Sequence, residues 1–135
     1  MRISHLISIF LSASLPFSVW AGDKYADPKQ LTDMQLCHNW SAPSSKKAVR
    51  DYRDLVAKEI AARRLFSVAD WEMISRGKVA IGMPELAIAC VLGPADAANR
   101  TTTAKGISVQ WVYRHGQTTV RYVYSANGFV TAIQD

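Results

Sequence analysis

The chain has 135 residues, with 16 basic against 11 acidic side chains and a net charge of +5. That length allows one domain with a single, modest core. The basic residues are scattered among acids rather than gathered in one patch, which argues against a nucleic-acid binder, and no apolar run reaches the roughly 18 residues of a membrane span.

The N-terminus reads as an export signal. Arg2 supplies a positive start, residues 6–17 are apolar, and Pro16 breaks the run ahead of Val19, Trp20 and Ala21. Val19 and Ala21 stand at the −3 and −1 positions of a signal-peptidase site, so residues 1–21 are expected to be removed before Gly22. Gly22 also argues against a lipoprotein, because lipid attachment needs a cysteine at that point and the first one is Cys37. The expected destination is the periplasm or the exterior, with no stable membrane anchor. The mature charge becomes +4 once Arg2 is lost, which suits acidic partners or anionic surfaces.

Residues 22–29 are polar and read as a flexible leader. Asp27-Pro28 opens a helical stretch up to Trp40, with Leu31, Met34 and Leu36 at weak helical spacing. Residues 41–45 form a loop whose Ser44 or Ser45 can cap the next segment. The clearest helix covers 46–65: Val49, Tyr52, Val56 and Ile60 make one apolar stripe. Asp54 with Lys58 and Glu59 with Arg63 are acid-to-base pairs one turn apart. A third short helix starts at Ser67, with Asp70 three residues on, turns Trp71 and Ile74 inward, and stops at Gly77. Pro84 opens a fourth, over 84–92, halted by Gly93-Pro94. Residues 96–106, with three consecutive threonines, read as an exposed polar loop.

The period then changes from helical to alternating. Ile107, Val109, Trp111 and Tyr113 alternate with polar residues, as do Val120, Tyr122 and Tyr124, and 129–134 is a third β-rich run. Gly116-Gln117 and Asn127-Gly128 separate the runs, and Asn-Gly is a strong two-residue hairpin signal. The expected fold class is therefore α+β, with N-terminal helices packed on one face of a three-stranded antiparallel meander.

The mature chain has two cysteines, Cys37 and Cys90. In an exported protein the expected reading is a disulfide closing a loop of about 50 residues, worth about 3–4 kcal/mol in the chain-entropy model. A metal site would need further ligands at metal spacing, and the adjacent Cys37-His38 is poor geometry for a catalytic pair. No metal and no cofactor are expected.

Ile81-Gly82-Met83-Pro84, Val91-Leu92-Gly93-Pro94, Trp111-Val112-Tyr113, Tyr122-Val123-Tyr124, Asn127-Gly128 and Val130 together resemble the SmpA/OmlA family. That family includes the small lipoprotein of the outer-membrane barrel-assembly machine. The resemblance covers 77–135 and implies two helices on a three-stranded antiparallel sheet, a fold shared with β-lactamase inhibitor proteins. Two features depart from the family. There is no lipidated cysteine at the mature start, and 27–75 is a helical extension outside the shared motif.

No catalytic motif stands out. His38 and His115 lack a patterned acid and nucleophile, there is no phosphate loop, and the carboxylates are dispersed. Binding is expected rather than catalysis. The candidate surface is Trp111, Tyr113, Arg114, Arg121, Tyr122 and Tyr124, because Tyr, Trp and Arg favour protein-binding hot spots; the alternative is that these aromatics form the sheet's core face. Two functions remain open: an accessory protein of envelope or secretion machinery, and an inhibitor or immunity protein that blocks a partner enzyme.

Overall fold

The computed structural model describes residues 25–135. The expected signal segment 1–21, its expected cleavage point before Gly22 and the first part of the expected leader lie outside the described residues. From Tyr25 onward the expected leader is held in place. The Tyr25 ring stacks on Tyr52 at 4.7 Å, and the Tyr52 hydroxyl donates to the Ala26 carbonyl at 2.8 Å.

A short 3₁₀ turn, Pro28–Gln30, precedes four helices: α1 (Asp33–Ser41), α2 (Lys47–Ala62), α3 (Val68–Ser75) and α4 (Leu86–Leu92). α1 is started by a full capping box. Thr32 accepts from the Gln35 backbone while the Gln35 side chain accepts from the Thr32 backbone, which satisfies two otherwise orphaned donors. α2 buries Tyr52, Val56 and Ile60 from the expected stripe. No side chain caps α2 from its N-cap position; Ser44 accepts instead from the Lys46 backbone just ahead of it. Ser67 caps α3 by accepting from Asp70 N.

α4 begins at Leu86 rather than at Pro84, because the preceding residues pair with a strand. Pro84 bridges to Phe129, and Glu85 N donates to Gly128 O at 2.8 Å. Ala87, Ile88, Ala89 and Cys90 are all buried. A helix apolar on every side is one enclosed by neighbours.

Four antiparallel strands come next in simple order: β1 (Ala97–Thr103), β2 (Gly106–His115), β3 (Thr119–Ala126) and β4 (Phe129–Gln134). The fold class is α+β, but the expectation of three strands is corrected to four. The segment expected as an exposed loop is the edge strand β1. It pairs along its whole length with β2, from Ala97 opposite Val112 to Thr103 opposite Gly106. None of its residues is buried, so it carries no alternating apolar signal. Its threonines are nevertheless good strand formers.

The core joins Leu36 and Cys37 of α1, Tyr52, Val56 and Ile60 of α2, Ile74 of α3, and Ala87 to Cys90 of α4 with Tyr113, Val123 and Val130 of the sheet. Two polar links tie α4 and its flanks to the sheet. Tyr113 OH donates to Gly93 O at 2.9 Å, and the buried Ser125 hydroxyl donates to Glu85 at 2.7 Å while accepting from Trp111 Nε1 at 3.0 Å. A disulfide joins Cys37 of α1 to Cys90 of α4.

Candidate functional site

Strand alternation sorts the six candidate residues onto two faces. Trp111 lies opposite Val123 and Tyr113 opposite Arg121, so Trp111, Tyr113 and Arg121 share the face that carries Val123. Arg114, Tyr122 and Tyr124 share the other face with Gln110 and Val112. The structure therefore does not bring the six together as one patch.

On the Val123 face, Tyr113 is a core residue, 4% exposed. Burial, with the Asp96 carboxylate nearby, pushes its phenol up to about 12. Trp111 is half-buried, and its indole N–H is committed to Ser125. Arg121 pairs with Asp135 at the margin of a cleft of about 350 Å³ that also includes Lys78, Val91, Leu92 and Ile133.

The opposite face carries a row of uncharged polar groups that crosses all four strands. Asn99 of β1 donates to Gln110 of β2 at 2.9 Å. Gln110 donates to the Tyr124 hydroxyl of β3 at 3.1 Å. That hydroxyl donates in turn to Gln134 of β4 at 3.4 Å. A shallow groove of about 370 Å³ runs beside the row, with Thr101, Ser108 and Thr131 among its walls. Tyr122 and Tyr124 sit side by side with ring centres 6.5 Å apart. Each amide in the row is oriented by its neighbour, so the face offers fixed donors and acceptors beside aromatic surface. Arg114 is exposed at one end of this face; its backbone N donates to Asp96 at 2.6 Å.

Reading the sequence missed Asn99, Gln110 and Gln134. Alternation alone puts Gln110 on the same face as Val112, but only strand pairing shows that Asn99 lies opposite Gln110 and that Gln134, opposite Tyr122, stands diagonally within reach of the Tyr124 hydroxyl. A second group was also missed. Trp71 of α3 packs against Trp40 of α1 at 5.0 Å and against Phe66 at 6.2 Å, and the Arg53 guanidinium lies 4.4 Å from the centre of the Trp40 ring.

Among the described residues no group of three or more His, Cys, Asp or Glu is placed to hold a metal ion, and no helix is long and apolar enough to cross a membrane. In comparisons with known proteins, the chain matches no family model, no curated protein and no solved structure.

Proposed function

We propose that the protein is an exported, non-enzymatic binding module, an accessory of cell-envelope or secretion machinery that engages another protein. Its helices would cover the Val123 face of the sheet and leave the Tyr124 face for the partner. The observation that carries this reading is the hydrogen-bonded row from Asn99 to Gln134 beside Tyr122 and Tyr124. Pre-oriented polar groups beside Tyr rings lose little freedom on binding, and Tyr is favoured where affinity is concentrated. The resemblance of 77–135 to the SmpA/OmlA family, and the disulfide, which suits an oxidising compartment, support the envelope destination.

The test is capture from detergent-solubilised envelope with immobilised protein, comparing the wild type with Tyr124→Ala. A membrane complex held by the wild type and lost from a Tyr124→Ala variant that melts normally is the expected result. A soluble hydrolase held in a tight one-to-one complex would favour the inhibitor role instead. Equal capture by both proteins would remove the Tyr124 face from the reading.

A further inference from the structure

Helices α2 and α3 end in the same motif with different residues at its critical position. At the end of α3, Gly77 N donates to Ile74 O and Lys78 N donates to Met73 O, with Gly77 at φ 72. At the end of α2, Arg64 N donates to Ala61 O and Leu65 N donates to Ile60 O, with Arg64 at φ 54. This pair of closing bonds requires a left-handed residue, and glycine adopts that conformation without steric penalty. Gly77 shows the ordinary solution within this very chain. Arg64 accepts the penalty, so its backbone role does not account for its side chain.

The surroundings of that side chain do. A groove of about 410 Å³ lies between the end of α2 and the start of α3, walled by Ile60, Phe66, Val68 and Trp71, and Arg64 is the one charged residue of its lining. Val68 is 89% exposed, so its side chain at the groove's rim is open to a partner. Trp71 is braced by Phe66 and by Trp40, which Arg53 covers in turn, so the walls are already set. Arg63 is engaged by Asp33 and Glu59, whereas Arg64 is in none of the ion pairs among the described residues.

We propose that this groove docks a segment of a partner protein that presents an apolar side chain next to a carboxylate: the apolar chain against Phe66, Val68 and Trp71, the carboxylate on Arg64. Aromatic walls around a single guanidinium are the composition on which binding energy concentrates, and one unpaired cation beside apolar surface selects one anion beside an apolar anchor. The site is separate from the Tyr124 face and does not depend on it.

The experiment is fluorescence anisotropy with two labelled hexapeptides containing adjacent phenylalanine and leucine, one with glutamate after them and the other with glutamine. The full exported protein should bind the glutamate peptide more tightly by about three-fold, the scale of an exposed ion pair, and the gap should shrink in high salt. Arg64→Gly should erase the preference while raising the melting temperature by about 3 °C, since the left-handed penalty disappears. Val68→Asp should weaken both peptides. Tyr124→Ala should change neither, which separates this site from the sheet. Equal binding of the two peptides, no binding of either at about 1 mM, or a preference that survives Arg64→Gly would each overturn the proposal. A merely structural Arg64 would give the rise in melting temperature alone.

Discussion

Arg63 at the end of α2 reaches Asp33 at the start of α1, at 2.9 Å and across 30 residues of sequence. The same guanidinium holds Glu59 at 2.9 Å and donates to the carbonyls of Leu31, Lys29 and Pro28 at 2.8, 3.2 and 3.3 Å. The planar fork of arginine offers five donors spread over three nitrogens, whereas a lysine ammonium offers three from a single nitrogen and cannot span these acceptors. The Asp33 and Glu59 hydrogen bonds hold its pKa above the ordinary arginine value. Both Arg63→Ala and Arg63→Lys should therefore loosen residues 28–33. Hydrogen exchange is the measurement: amides of the 3₁₀ turn and the first turn of α1 should exchange faster, with those of β2 and β3 unchanged. Unaltered exchange at 28–33 would show that the fork is incidental.

The disulfide acts on the same region from the other side. Cys37 and Cys90 are separated by 53 residues, and a loop of that length is worth about 4 kcal/mol in the chain-entropy model. Both cysteines are buried in the core. Reductant should lower the denaturation midpoint of the wild type, Cys37→Ser should reproduce the loss, and reductant should have no further effect on that variant. Thiol titration of the native protein in denaturant checks the bond itself, with none expected before reduction and two after.

The hairpin between β3 and β4 needs left-handed backbone at both turn positions, and the Asn127 side chain also ties it to β2 by accepting from Ile107 N at 3.1 Å. Asn127 has φ 52 and Gly128 φ 86, the two positive values that a type I′ turn demands. A Cβ placed on Gly128 meets nothing within 4 Å. Gly128→Val should thus cost about 1–2 kcal/mol through left-handed strain, without any clash, and Gly128→Asn should cost less because asparagine visits that region readily. Urea unfolding measures both; a valine variant as stable as the wild type would contradict the turn.

Alkaline stability should report on Tyr113. Its phenol is pushed up to about 12 from an ordinary value of about 10. Below pH 10 the folded and unfolded chains both keep the proton, and stability is unaffected. Between about 10 and 12 the unfolded chain loses the proton first, so stability falls as pH rises. Tyr113→Phe should flatten that decline. A residue of it should persist from Tyr52, whose phenol is also raised, by burial and then by Asp27. At neutral pH the variant should lose about 1 kcal/mol, because the Gly93 carbonyl loses its partner. Denaturant midpoints across pH 7–12 for both proteins decide the matter.

Local pattern made much of this protein legible. The stripe of α2, the Ser67 cap of α3, the Gly93 stop of α4 and the Asn127-Gly128 turn are each specified by residues within a few positions of one another. β1 was not legible, because an edge strand with no buried side chain leaves no alternation to read. The candidate surface was legible only as a set of residue types. The parity of Tyr113 and Tyr124 separates them, but which face enters the core depends on the approach of α4.

By itself, then, the sequence determined the helices, the three later strands and the turn chemistry, which stem from backbone preference and short-range periodicity, and the single possible cysteine pairing, which follows from there being two cysteines. Only the tertiary structure decided that Asn99, Gln110, Tyr124 and Gln134 form one row, that Arg63 grips Asp33 across 30 residues, and that Arg64, Phe66 and Trp71 line one groove. Each of these depends on register or on helix approach, and those are set by packing among residues distant in the chain, which no local pattern encodes.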